Sequence, residues 1–130
     1  MDASALVKLV LPEPESGALV AALAGGPELI TSTVGAIETR RAVLVAGGDD
    51  ELTEEVERVL DAVTLVAITE PIRRAAGALR PAFLRTLDAL HLATALSFGE
   101  ELAAFVAYDR RLAEAAGTAG LEVRAPGALP

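Results

Sequence analysis

The chain has 130 residues, the size of one ordinary domain, and 52% of them are hydrophobic, enough for a real core. It holds no cysteine, which excludes disulfides, thiolate chemistry and Cys-based zinc sites. The net charge of −8 argues against a non-specific nucleic-acid binder, which would present a basic surface.

Taken in chain order, Ser4–Leu11 reads as a short helix stopped by Pro12 and Pro14. Glu15–Leu23 is a second helical stretch, ended by Gly25-Gly26-Pro27. Leu29–Ser32 is a short strand rich in branched residues. Thr33 or its neighbour caps a helix running to about Val45, closed by Gly47-Gly48. Leu52–Leu60 is an amphipathic helix, and Val63–Ile68 is expected as a buried strand. Glu70–Leu79 is helical with Pro71 at its start. Thr86–Phe98 is the most regular helix and ends at Gly99. Ala103–Tyr108 is a strand, Arg110–Ala116 a helix ended by Gly117, and Leu121–Val123 a last strand. Strands separated by helices imply βαβ units and a mostly parallel sheet covered on both faces. Ligands of such sheets sit at the carboxyl ends of the strands. Asp109 directly follows a strand and lands on that edge.

There is no internal repeat or low-complexity segment. Aromatic residues are scarce, so the core must be Ala, Leu and Val. No apolar run reaches the ~20 residues of a membrane span, and the N-terminus lacks a signal-peptide pattern. A soluble, cytoplasmic protein is expected. Ten arginines accompany a single lysine, Lys8, and several are paired: Arg40-Arg41, Arg73-Arg74 and Arg110-Arg111. A local basic rim is therefore compatible with an acidic total.

Four carboxylates stand where acids need a reason. Glu38 aligns with Val34, Ala42 and Val45 on one helical face, and Asp88 with Leu84, Leu92 and Ala95. An ionised acid drawn toward a core costs several kcal/mol unless compensated. Asp2 and Asp109 stand where helices begin. Each acid also has an ordinary role open to it. Glu38 can pair with Arg41, Asp88 sits in a first turn that favours anions, and Asp2 and Asp109 are good N-cap residues. If the four converge, an all-oxygen ligand set suits Mg²⁺ or Mn²⁺ and phosphodiester chemistry. The only histidine, His91, lies one turn after Asp88, either as a supporting donor or as a helix-packing residue. No Walker P-loop or dinucleotide glycine fingerprint is present.

Four blocks in order carry a resemblance. They are Asp2-Ala3-Ser4-Ala5-Leu6-Val7-Lys8, Ser32 through Glu38 with Arg40-Arg41, Leu87-Asp88-Ala89-Leu90-His91-Leu92-Ala93-Thr94-Ala95, and Phe105-Val106-Ala107-Tyr108-Asp109-Arg110-Arg111-Leu112. Together they resemble PIN-domain ribonucleases, specifically the VapC-like toxins of toxin–antitoxin pairs, over essentially the whole chain. The resemblance implies one PIN-like domain over 1–130, a three-layer α/β/α sandwich around a small, mostly parallel sheet. It implies a Mg²⁺- or Mn²⁺-dependent endoribonuclease with Asp2, Glu38, Asp88 and Asp109 as catalytic metal ligands. Ser4 would support the site by hydrogen bonds, as would His91, and Arg40, Arg41 and Arg110 are placed as contacts to RNA or to the antitoxin. A homodimer neutralised by a cognate VapB-like antitoxin is implied, with no membrane partner. Two features depart from the family pattern. Only Met1 precedes Asp2, where the family carries a few strand residues, so a truncated first strand is expected. Ala107 stands where Thr or Ser is common, removing one hydroxyl near the metal. Two other readings are a PIN fold that binds without catalysis and a phosphoacceptor receiver domain. The receiver needs a lysine at a late strand end, and Lys8 lies in the first helix.

Overall fold

Seven α-helices and four short strands alternate along the chain in the computed structural model, which describes residues 1–130. The helices are α1 Ala3–Val10, α2 Ser16–Leu23, α3 Thr33–Val45, α4 Asp50–Asp61, α5 Glu70–Ala78, α6 Thr86–Leu96 and α7 Arg110–Thr118. The strands are β1 Ile30–Ser32, β2 Thr64–Val66, β3 Phe105–Val106 and β4 Val123–Arg124. A 3₁₀ turn, Gly99–Glu101, follows α6 and was not expected from the sequence. The expected elements all form, because their ends carry strong local signals: Pro71 in the first turn of α5, and glycines with positive φ such as Gly47 and Gly120 just past helix ends.

The sheet is parallel and comes in two halves. β1 pairs with β2, Ile30 opposite Thr64, and β3 pairs with β4, Phe105 opposite Val123. Residues 1 and 2 lie between the halves. The Met1 amine donates to the Ile30 carbonyl at 2.7 Å, and the Asp2 amide donates to the Val106 carbonyl at 3.1 Å. Thr31 Oγ1 adds a bond to the Met1 carbonyl at 2.8 Å. Two residues therefore occupy the central strand position expected to be truncated, and they fix the backbone of Asp2 from both sides.

Helices cover this sheet with two main apolar clusters. Leu6, Val10, Ala36, Val43, Val56, Leu60 and Val63 join α1, α3 and α4. Leu92, Ala95, Phe105, Ala107, Leu112, Ala115 and Ala116 join α6, β3 and α7. This is the α/β architecture expected, with small Ala, Leu and Val side chains making the core.

Two expectations need correction. The Val63–Ile68 run yields only a three-residue strand, with Thr64 and Leu65 exposed. β2 pairs on one side alone and is an edge strand, so only Val63 of its apolar run reaches the core. The buried face of α3 is also not Val34, Ala42 and Val45. It is Ala36, Thr39 and Val43, and Val45 is 85% exposed. Thr39 can occupy the core because its hydroxyl donates to the Gly35 carbonyl at 2.8 Å. A polar residue satisfied by its own helix hid the true face from the hydrophobic pattern, and Glu38 flanks that face, half-buried.

Candidate metal centre

Three helices begin where the chain leaves one edge of the sheet. Asp2 caps α1, accepting from the Ala5 amide at 3.0 Å. Ser32, at the end of β1, caps α3 through the Gly35 amide at 3.0 Å. Asp109, just beyond β3, caps α7 through the Leu112 amide at 3.0 Å. The capping roles of Asp2 and Asp109 are thus real. They also fix both carboxylates at the carboxyl ends of parallel strands, where α/β sheets bind ligands. Glu38 comes from the second turn of α3, and Asp88 from the first turn of α6.

Side chains link the four acids. The Ser4 hydroxyl lies 2.7 and 2.8 Å from the two Asp2 oxygens, and it accepts the Tyr108 amide at 3.0 Å. Ser4 therefore joins Asp2 to the segment that carries Asp109, the supporting position expected of it. Buried His91 Nε2 lies 2.6 Å from Glu38 Oε1, tying α3 to α6. Glu38 pairs with His91 and not with Arg41. Arg85 reaches two acids at once: Nε donates to Asp88 at 2.8 Å and Nη2 to Asp109 at 3.2 Å. Its place three residues before Asp88 is a helical neighbour spacing, the one signal by which the sequence could have revealed it. Ser4, Glu38 and Asp109 also line one open groove of about 420 Å³.

Asp2 differs from the other three. It is buried, and no Lys or Arg side chain pairs with it. Burial raises its pKa above the ordinary value, and the bonds from Ser4 and Ala5 offset part of that. The Met1 ammonium beside it is itself pushed down to about 6 by burial. A buried carboxylate short of positive charge at the ligand-binding edge suits a cation. The donor set of four carboxylates without a thiolate suits a hard one, Mg²⁺ or Mn²⁺. As placed, no three His, Asp or Glu side chains stand close enough to hold one ion. Arg85 bonds Asp88 and Asp109, and His91 bonds Glu38. The residues fit a hard cation in kind, and Arg85 bonds two of them.

Of the three arginines expected as RNA or antitoxin contacts, Arg40 is paired within the chain. Its guanidinium bonds Glu57 of α4 twice, at 2.6 and 2.8 Å, on the exposed side of α3 and α4. Arg41 and Arg110 are exposed. Lys8 is spent as well. It bonds Glu13 and Glu15 at 2.5 and 2.9 Å and lies 4.7 Å from the Tyr108 ring centre, so its charge is already partnered.

Comparison with known proteins agrees with this geometry. The family model described as PIN domain matches residues 1–118. Ribonuclease VapC47 of Mycobacterium tuberculosis (strain CDC 1551 / Oshkosh) is 41% identical over 133 aligned positions, covering 99% of this chain and 97% of the relative. Ribonuclease VapC46 of the H37Rv strain is 39% identical, covering 97% of this chain and 95% of the relative. Ribonuclease VapC35 is 42% identical, with 98% and 96% covered. With the model matched over most of its length and such relatives covered nearly end to end, the chain belongs to the PIN-domain family.

Proposed function

We propose that the chain is a divalent-metal-dependent endoribonuclease, the toxin of a VapC-type toxin–antitoxin pair, acting in the cytoplasm. Its relatives named as ribonucleases support the reaction class. The observation that carries the mechanism is Asp2: a buried, cation-poor carboxylate at the sheet edge shared with Asp109. Asp2, Glu38, Asp88 and Asp109 would hold Mg²⁺ or Mn²⁺, which supplies an activated water and neutralises charge on the phosphate oxygens.

The chain's own groups do the positioning. Ser4 holds Asp2 in one rotamer and couples it to the Asp109 segment. His91 orients Glu38. Ala107 offers no hydroxyl here, so Ser4 is the hydroxyl bonded to this acid set. A VapB-like antitoxin and a homodimeric assembly belong to the same reading. An acidic, partly buried pocket that already accepts the guanidinium of Arg85 suits an arginine from an antitoxin tail.

RNA cleavage with Mn²⁺ by wild type and by Asp88→Asn tests the proposal. Activity lost in the variant is the expected outcome, and equal cleavage by both overturns it. Calorimetric titration with Mn²⁺ separates the PIN fold that binds without catalysis, for which a well-folded protein takes up no metal.

A further inference from the structure

We propose that a single RNA strand reaches the acids along a groove of about 690 Å³ that opens on Asp88, with Arg80 and Arg111 as its phosphate contacts and Phe83 as a stacking platform for one base. This rests on the ribonuclease reading above and names where its substrate lies. Three features of the groove carry it.

The first is charge. Arg80, Arg85 and Arg111 line this groove against Asp88 and Glu114, so its balance is positive in a chain of net charge −8. The groove on the other side of the acids is the reverse. Glu13, Glu38 and Asp109 line it, and its one cation, Lys8, is already paired with Glu13 and Glu15. Of the two grooves, a polyanionic strand is favoured along the one lined by Arg80 and Arg111.

The second is availability. Arg40, Arg58, Arg73, Arg74 and Arg124 each carry a carboxylate partner. Arg80 and Arg111 carry none, so their guanidinium donors are free for phosphate oxygens.

The third is Phe83, one of three phenylalanines in the chain and 84% exposed, while Phe105 is in the core. A lone exposed ring between free arginines is the arrangement that binds single strands, whose unpaired bases offer a face to stack. A duplex offers no such face. Arg85 connects groove and acids, since its guanidinium reaches from Asp88 in the groove wall to Asp109 beyond it.

The test is fluorescence anisotropy with a short, fluorescein-labelled, 2′-O-methylated single strand of mixed sequence, which cannot be cleaved, in the presence of Mn²⁺. Arg80→Gln/Arg111→Gln should weaken binding and flatten the dependence of log affinity on log salt by about 1.4, roughly 0.7 per lost phosphate contact. Phe83→Ala should weaken binding about 5- to 100-fold with the salt slope unchanged, and Phe83→Trp should retain it. Arg58→Gln, an exposed charge removed from α4, should leave affinity within about two-fold. Wild-type affinity and slope in the groove variants overturn the proposal while leaving the ribonuclease reading intact. Absence of binding by a wild type that still cleaves RNA with Mn²⁺ overturns this proposal alone, and absence of both binding and cleavage overturns the ribonuclease reading as well. Should Phe83→Ala instead halve the molar mass in light scattering with RNA affinity unchanged, the ring is a contact between copies of the chain and the proposal falls.

Discussion

Asp2 shows how a proposed metal ligand can be costly to the fold. Its folded-state pKa is raised by burial, so ionising this carboxylate works against the fold. Asp2→Asn keeps the acceptor for the Ala5 amide and removes the charge. The variant should melt about 3 °C higher than wild type at pH 7 without metal, a gain on the order of 1 kcal/mol. The sign of the pH dependence follows from the direction of the shift. Below the raised pKa the folded wild type takes up a proton that the unfolded chain still lacks, so its stability improves on acidification. The gap between variant and wild type should close as pH falls from 7 toward the ordinary carboxyl range, read by thermal melts at each pH. A gap that widens instead excludes burial as the cause. Arg85 makes the complementary case. Its guanidinium is the internal counter-ion of Asp88 and Asp109 and competes for them with the proposed metal, so Arg85→Gln should bind Mn²⁺ about three- to five-fold more tightly by calorimetry. Unchanged affinity would show that the guanidinium does not compete. Neither effect could be read from the sequence alone, which shows where acids stand but not which of them lack a cation.

At the scale of elements, the packing of α3 against β1 and α6 sets the position of Glu38. Gly35 is where they touch. A Cβ added there would stand 2.3 Å from Thr31 Oγ1 and 3.1 Å from His91 Cε1. Gly35→Ala should cost about 1–3 kcal/mol and lower the melting temperature by several degrees, and it should separate Glu38 from His91. Thr31→Ala in the same chain removes the closer clash. The double variant should recover part of the loss, a coupling that melts of the two single and one double variant would measure. Additive losses would mean that the backbone had moved elsewhere. The elements themselves were largely legible. Pro71, the glycines after helices and the capping residues Asp2, Ser32 and Asp109 mark their ends through local chemistry that needs no tertiary context. What was not legible depended on neighbours. Thr39 in the core of α3 looks like a surface residue until its hydroxyl is seen bonded to Gly35, and the exposure of β2 depends on having no strand beyond it.

At the scale of the molecule, the four acids come from parts of the fold held together by little backbone pairing. Glu38 belongs to the half-sheet of β1 and β2 through α3, and Asp109 to the half of β3 and β4. Residues 1 and 2 bridge the halves with the Met1–Ile30 and Asp2–Val106 bonds, and Asp88 reaches the edge from α6. The order of the acids in the sequence was enough to group them. The side chains that partner them were not visible there, because Arg85 and His91 act through contacts made only after folding. An ion taken by acids from both halves would tie the whole fold together, so its binding energy should appear as global stability. At a free Mn²⁺ concentration about 100 times Kd, linkage gives roughly 2.7 kcal/mol, which for a domain of this size is a rise of about 10 °C in melting temperature with one cooperative transition. Asp88→Asn should lose most of that rise while melting near wild type without metal, since its neighbour Arg85 keeps Asp109 as a partner. Equal rises in both proteins would place the Mn²⁺ elsewhere, and no rise in either would overturn the proposed metal site.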